Sequence, residues 1–176
     1  MINEKNSFLS FCLADETFAI NVKKVLEVLQ LQKITRVPQT PDYVRGVINF
    51  RGEILPVVDT RLKFNMPQIE DNPRTIIIVL DLEVKGKEIK IGAIADAVKD
   101  VIDIKEIDIK DIPEMGSRYN TDFIYGMIRF EEEFVMILDI DKVFSVEEIS
   151  MVRNVSENNG DGVVIKLDDD DDTEKE

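Results

Sequence analysis

Five aspartates, Asp59, Asp81, Asp96, Asp139 and Asp141, are the residues of this chain whose type and placement could do chemistry. Carboxylates that converge can move a proton or hold a divalent cation. Asp59 and Asp139 recur, however, at matching points of an internal repeat, each just ahead of a short apolar-periodic stretch where a helix N-cap belongs. That recurrence favours caps over catalysis. A second acidic pattern, Glu157-Asn158-Asn159-Gly160-Asp161-Gly162 with Val164 and Asp168 beyond it, resembles a Ca²⁺ loop with glycine at its sixth position. It opens on Glu instead of Asp, closes on Asp instead of Glu, and no exit helix follows. A solvated acidic tail explains it better. The chain has no histidine, which excludes Ser-His-Asp and Cys-His catalysis, phosphohistidine transfer and histidine-ligated metals. Cys12 is alone and is expected to be a packed, inert thiol with no disulfide framework around it. No phosphate-cradling glycine loop is present. The expectation is a protein without catalytic residues, metal or cofactor.

Composition narrows the field further. The 176 residues carry a formal charge of −14, and nucleic acid would repel such a surface. Half of that excess sits in Glu157–Glu176, so residues 156–176 read as an acidic disordered tail and residues 1–155 as the folded part. The short polar start MINEKNS is not a signal peptide, and no apolar run reaches the ~18 residues a membrane helix needs. With its lone cysteine, the chain suits the cytoplasm.

The elements that position these residues are mostly strands. Phe8–Leu13 and Thr17–Ile20 alternate as strands around the Ala14-Asp15-Glu16 turn. Asn21 can cap a short helix through Leu29, with Val22, Val25, Leu26 and Leu29 on one face and Lys23 and Glu27 on the other. Lys33–Val37 reads as a strand stopped by Pro38. Thr75–Leu82 is nearly all apolar, a strand buried on both faces, and hairpins into Ile89–Ala95. Val101–Ile104 and Ile107–Ile109 are short strands, and Pro113–Asp122 is a loop. Ser145 and Glu148 form a capping box for a C-terminal helix reaching Val152.

The stretch Asp42–Phe64 organises the rest: strand, tight turn at Arg51-Gly52, strand, then a short helix behind Asp59. Gly46 and Gly52 stand where a bulky side chain would block a bend or a close approach. The chain says this twice. Phe123–Phe144 matches Tyr43–Phe64 without gaps, pairing Gly46 with Gly126, Ile48 with Ile128, Phe50 with Phe130, Glu53 with Glu133, Asp59 with Asp139 and Phe64 with Phe144. A fainter echo sets Ala19-Ile20 against Ala93-Ile94. Many short strands and two copies predict an all-β fold of two small packed barrels.

The run G-V-I-N-F-R-G-E-I-L-P-V-V-D-T-R at Gly46–Arg61 resembles the signature of the CheW family, the coupling proteins of bacterial chemotaxis, with Phe50 and Thr60 where the family usually has Leu. The resemblance extends over Phe8 to about Met151. It implies two five-stranded SH3-like barrels with a hydrophobic core between them, roughly residues 14–82 and 83–152, the N-terminal strand pairing into the second. It also implies a non-catalytic adaptor that binds chemoreceptor tips and the regulatory domain of the histidine kinase CheA, at membrane-associated arrays. Carried over by position, Arg51 contacts the receptor tip. Val25 and Glu27 face receptor and kinase, Gly46 keeps that surface clear, and Arg45 supplies a family-typical basic residue. The second turn has Glu131-Glu132 in place of Arg51-Gly52, which puts function in the first barrel. Two alternatives stay open: a CheW-like adaptor of another chemosensory circuit, such as that of type IV pili, and a carboxylate-based metal-binding protein or enzyme.

Overall fold

Ten strands are defined by alternation of apolar and polar residues and by two-residue turns at left-handed backbone. The computed structural model describes residues 5–67, 70–112 and 122–144, with residues 148, 150, 151 and 154. The strands are β1 (Lys5–Leu13), β2 (Glu16–Asn21), β3 (Val25–Gln30), β4 (Val44–Phe50), β5 (Glu53–Asp59), β6 (Ile76–Val84), β7 (Lys87–Ala95), β8 (Ala97–Lys105), β9 (Ile124–Phe130) and β10 (Glu133–Leu138). One short helix, α1 (Thr60–Lys63), follows β5, and Glu148, Ser150, Met151 and Asn154 have helical backbone. The fold is all-β, two five-stranded SH3-like barrels. One sheet runs β3-β6-β7-β5-β4 and the other β8-β1-β2-β10-β9.

The two orders are one topology with a different cut. In each barrel a strand of the repeated hairpin pairs in parallel with a distant strand: β5 with β7, and β10 with β2. The first barrel takes β3 to β7 in succession. The second takes β8, β9 and β10 and completes itself with β1 and β2. These sheets divide the chain differently from the expected spans 14–82 and 83–152. Hydrogen bonding keeps β7 beside β6 in the first barrel, and carries both β1 and β2 into the second. The same registers correct the faint echo by one residue. Val57 faces Gly92 while its repeat mate Ile137 faces Ala19, so Ala19 matches Gly92, not Ala93.

Three apolar clusters follow from strand alternation. Ile48, Phe50, Leu55, Val57, Ile77, Val79 and Ile94 fill the first barrel. Their repeat mates Ile128, Phe130, Val135 and Ile137 fill the second with Phe8, Ala19, Ile102 and Ile104. The opposite face of β6, with Ile78, Leu80 and Leu82, meets Leu9, Phe11, Leu13, Phe18 and Ile20 of β1 and β2 in a core shared by the barrels. The apolar run Thr75–Leu82 is therefore needed on both of its faces.

Three expected elements are overturned. The helix from Asn21 to Leu29 is a single 3-10 turn, Val22–Lys24, capped by the Asn21 side chain. Val25 onward extends instead, because β3 finds a partner in β6 and β-branched Val25 and Val28 suit a pleated surface. Lys33–Val37 forms only the isolated bridge Thr35–Val47. Ile107–Ile109 is not a strand, because Glu106–Asp108 coil into a 3-10 turn after the long β8. Residues 113–121, Ser145 of the expected capping box, and residues 156–176 lie outside the described residues.

Candidate functional site

The turn Arg51-Gly52 reverses the chain between β4 and β5 with φ of 51° and 83°, the backbone of a two-residue type I′ loop. Asn49 fixes it by accepting the Gly52 N–H at 3.0 Å. Such a turn projects from the barrel, and the Arg51 side chain is 65% exposed. Its guanidinium lies 4.8 Å from the Phe50 ring centroid and 3.3 Å from Glu27 Oε2 on β3. Residues 51 and 27 meet because β3 and β4 are the two margins of one sheet that curls round, the segment after β3 being tied to β4 by the Thr35–Val47 bridge. An exposed ion pair adds little stability, about 0–1 kcal/mol; here it gathers charge into one patch. Leu26 and Val28, on the same edge strand as Glu27, stay 38% and 41% exposed. Glu27 pairs with Val79 and Val28 with Ile78, so the charged pair and the exposed Val28 lie on opposite faces of this edge strand, each open to a protein partner.

The other sequence-nominated residues are placed differently, Arg45 and Gly46 at the far end of β4. Val25 is half-buried against the shared core, and its neighbours Leu26 and Val28 present the apolar surface instead. Gly46 is buried at φ 143°, and a methyl group built there would collide with the Thr35 carbonyl. A side chain at Gly46 thus intrudes on the barrel seam, not on an outer surface as expected. Arg45 is half-buried and donates to Asp71 Oδ2 at 2.8 Å and to Asp59 Oδ2 at 3.4 Å.

Behind Arg45 stands the residue that the sequence reading missed. Arg61 is fully buried, and its guanidinium donates to Asp59 at 2.9 Å through both Nε and Nη2, to Asp96 at 2.8 Å and to Asp71 at 3.4 Å. Asp59 also accepts the Arg61 backbone N–H, so it does cap α1 as expected. Burial disfavours the Arg61 charge, but bonds and charge from Asp59, then Asp96 and Asp71, outweigh it and hold its titration above the ordinary arginine range. Asp96 lies between β7 and β8 and accepts the Ala14 N–H of the β1–β2 turn at 2.6 Å, tying the network to the second barrel. The available signal was the repeat itself, which places Asp141 where the first copy has Arg61. Asp141 makes the charge-reversed bond to Lys24 at 2.8 Å and accepts the Glu83 N–H at 3.0 Å.

These contacts account for most of the aspartates considered for chemistry. Asp59 and Asp96 surround a guanidinium, and Asp141 serves a lysine. Asp139 stands at the N-cap of the 3-10 turn Ile140–Lys142 but accepts no capping bond, a correction to the expected pairing with Asp59. Its Oδ2 lies instead 3.8 Å from Lys142. Among the described residues no three Asp, Glu or Cys side chains converge to hold a metal ion, and no helix is long and apolar enough to cross a membrane.

Comparison with known proteins places this geometry. The family model of the CheW-like domain matches residues 7–148. The chain is 34% identical over 149 residues to the chemotaxis protein CheW of Klebsiella aerogenes, covering 85% of this chain and 87% of that protein. It is 33% identical to chemotaxis protein CheW of Bacillus subtilis, covering 83% and 91%. Among solved structures, the scaffolding protein TtCheW of Thermoanaerobacter tengcongensis superposes with a TM-score of 0.72 at 30% identity, over 82% of this chain and 91% of that one. With a CheW-like domain over most of its length and the two-barrel fold, the chain belongs to the family of the chemotaxis adaptor protein CheW.

Proposed function

We propose that this protein couples the cytoplasmic tips of chemoreceptors to the regulatory domain of the histidine kinase CheA, acting as a scaffold and not as an enzyme, within membrane-associated receptor arrays. The observation that carries the reading is the Arg51–Glu27 pair. It joins a hairpin turn to an exposed edge strand of the first barrel, on which Leu26 and Val28 are exposed as well. In this reading Arg51 meets the receptor tip, Glu27 and the flanking apolar residues of β3 complete the surface, and Val25 and Gly46 keep its backbone in place. Arg45, at the other end of β4 from the Arg51 turn, offers a second, separate cation.

The test is a pull-down with a receptor cytoplasmic fragment and CheA together, comparing wild type with Arg51→Glu. An exposed charge change costs within about 0.5 kcal/mol of stability, so the variant should melt as wild type does. It should lose receptor-dependent retention of the kinase. Unchanged retention would overturn the role of Arg51. Retention of neither partner by the wild type would overturn the coupling role itself.

A further inference from the structure

We propose that Asp71 is a positioning residue, which holds Arg45 in the pose from which it meets a partner. The inference rests on the reading of Arg45 as part of the first barrel's docking surface. Asp71 lies between α1 and β6, remote in sequence from β4, yet it bridges two guanidinium groups. One carboxylate oxygen accepts from Arg45 at 2.8 Å and the other from Arg61 at 3.4 Å. Arg61 is immobile by burial and by its bonds to Asp59 and Asp96, so Asp71 is anchored from behind while it holds Arg45 in front.

Nothing else near Arg45 does this as well. Its second contact, to Asp59 Oδ2, is longer at 3.4 Å, and that oxygen already serves Arg61 at 2.9 Å. Without Asp71 the long Arg45 side chain would regain the rotamers of a free arginine, and a partner would have to order it again on binding. A carboxylate with one oxygen on a buried arginine and one on a half-exposed arginine is thus a device for presenting the second.

The experiment is a double-mutant cycle read by calorimetric titration. Wild type, Arg45→Ala, Asp71→Asn and the double variant are each titrated with a receptor-tip fragment and with the CheA regulatory domain. The expected result is that Asp71→Asn weakens the complex sensitive to Arg45→Ala by about 3- to 10-fold, the scale of immobilising one long side chain. The double variant should bind no more weakly than Arg45→Ala alone, and Asp71→Glu should restore part of the loss. A general loosening of the loop would instead add to the Arg45→Ala effect and would not respond to Asp71→Glu. Circular dichroism checks folding, and Asp71→Ser replaces Asp71→Asn if the latter is unfolded. Tighter binding by Asp71→Asn, an unchanged affinity, or additive losses would overturn the positioning role while leaving Arg45 a contact. If Arg45→Ala changes neither titration, Arg45 is no contact and the inference falls with that reading.

Discussion

Phe64 and Phe123 lie face to face, with ring centroids 4.5 Å apart and planes within 3° of parallel. Phe64 ends the first copy of the repeat and Phe123 begins the second. Their repeat mates, Phe144 and Tyr43, also meet, at 6.2 Å and 46°. Exchanging the repeats exchanges the two contacts, which marks an approximate two-fold relation between the barrels. The backbone repeats it: Asp59 N–H donates to the Tyr43 carbonyl at 2.7 Å, and Asp139 N–H to that of Phe123 at 2.8 Å.

Because Phe64 packs against the core that both barrels share, Phe64→Ala should destabilise them together. Phe64 is only partly buried, so the loss belongs at the low end of the range for such truncations, about 3 kcal/mol. Urea unfolding followed by circular dichroism should show one transition at a lower midpoint. Two separated transitions would mean that the shared core does not couple the barrels.

Arg61→Leu should cost more, about 3–5 kcal/mol, because it strands the carboxylates of Asp59 and Asp96 without their cation. Arg61→Lys should recover little of this, since one ammonium cannot reproduce a planar fork with separate donors for each carboxylate. Thermal melting of both variants checks the ordering.

Acid should act on the same network. The hydrogen bond from Arg45 holds the Asp71 carboxyl below its ordinary value of 3.8, against the opposing effect of burial, with the Arg45 and Arg61 charges helping. A carboxyl lowered on folding contributes stability that is present above the unfolded value and lost as pH falls through the folded one. Asp71→Asn should therefore be less stable than wild type at neutral pH, and the gap should close as pH is taken below 3.8. Denaturant midpoints measured across that range give the curve. A gap that stays constant would show that Asp71 contributes by packing.

The two hairpin turns share a backbone but not a composition. Glu131 and Glu132 adopt φ of 48° and 69°, the left-handed region that Arg51 and Gly52 occupy in the first copy. A left-handed non-glycine residue costs roughly 1–2 kcal/mol, partly offset by the chain entropy that glycine loses on folding. Glu132→Gly should thus raise stability by about 0.5–1 kcal/mol and Gly52→Ala lower it by a similar amount, both read from melting curves. Exchanging Arg51-Gly52 with Glu131-Glu132 should leave both barrels folded yet abolish receptor-dependent kinase activation, as two acids then occupy the turn proposed to meet the receptor.

Much of this architecture was legible because it is local. The Phe50–Glu53 turn, the Asp59 cap and the doubly buried run before Leu82 each follow from a few adjacent residues, and the repeat doubles the signal. The segment from Asn21 to Leu29 was not legible, since Val22, Val25, Leu26 and Leu29 fit a helical face while Val25–Gln30 also alternates. Pairing with β6, some fifty residues away, decided it. The patch proposed to dock a partner was half legible: Arg51 and Glu27 were both nominated, but their contact depends on barrel closure. Arg61 escaped notice because its partners Asp71 and Asp96 come from a loop and an inter-barrel crossing that no spacing rule connects to it.

The borrowed hairpin has a consequence for synthesis. β1 and β2 leave the ribosome first, yet the strands they pair with outside their own hairpin, β8 and β10, begin at Ala97 and end at Leu138. At about 5–20 residues per second that is a delay on the order of 10 s, long compared with hairpin formation. Through that interval Phe8 and Ala19 have no second barrel to fill, while Leu9, Phe11, Phe18 and Ile20 lie on the opposite face of the same hairpin. The first barrel, contiguous from Val25 to Ala95, can already be complete. Its β6 and β7 carry the apolar face that these four side chains cover in the finished protein. The barrel made in the middle of the chain therefore serves as the holding platform on which the start of the chain waits for its end.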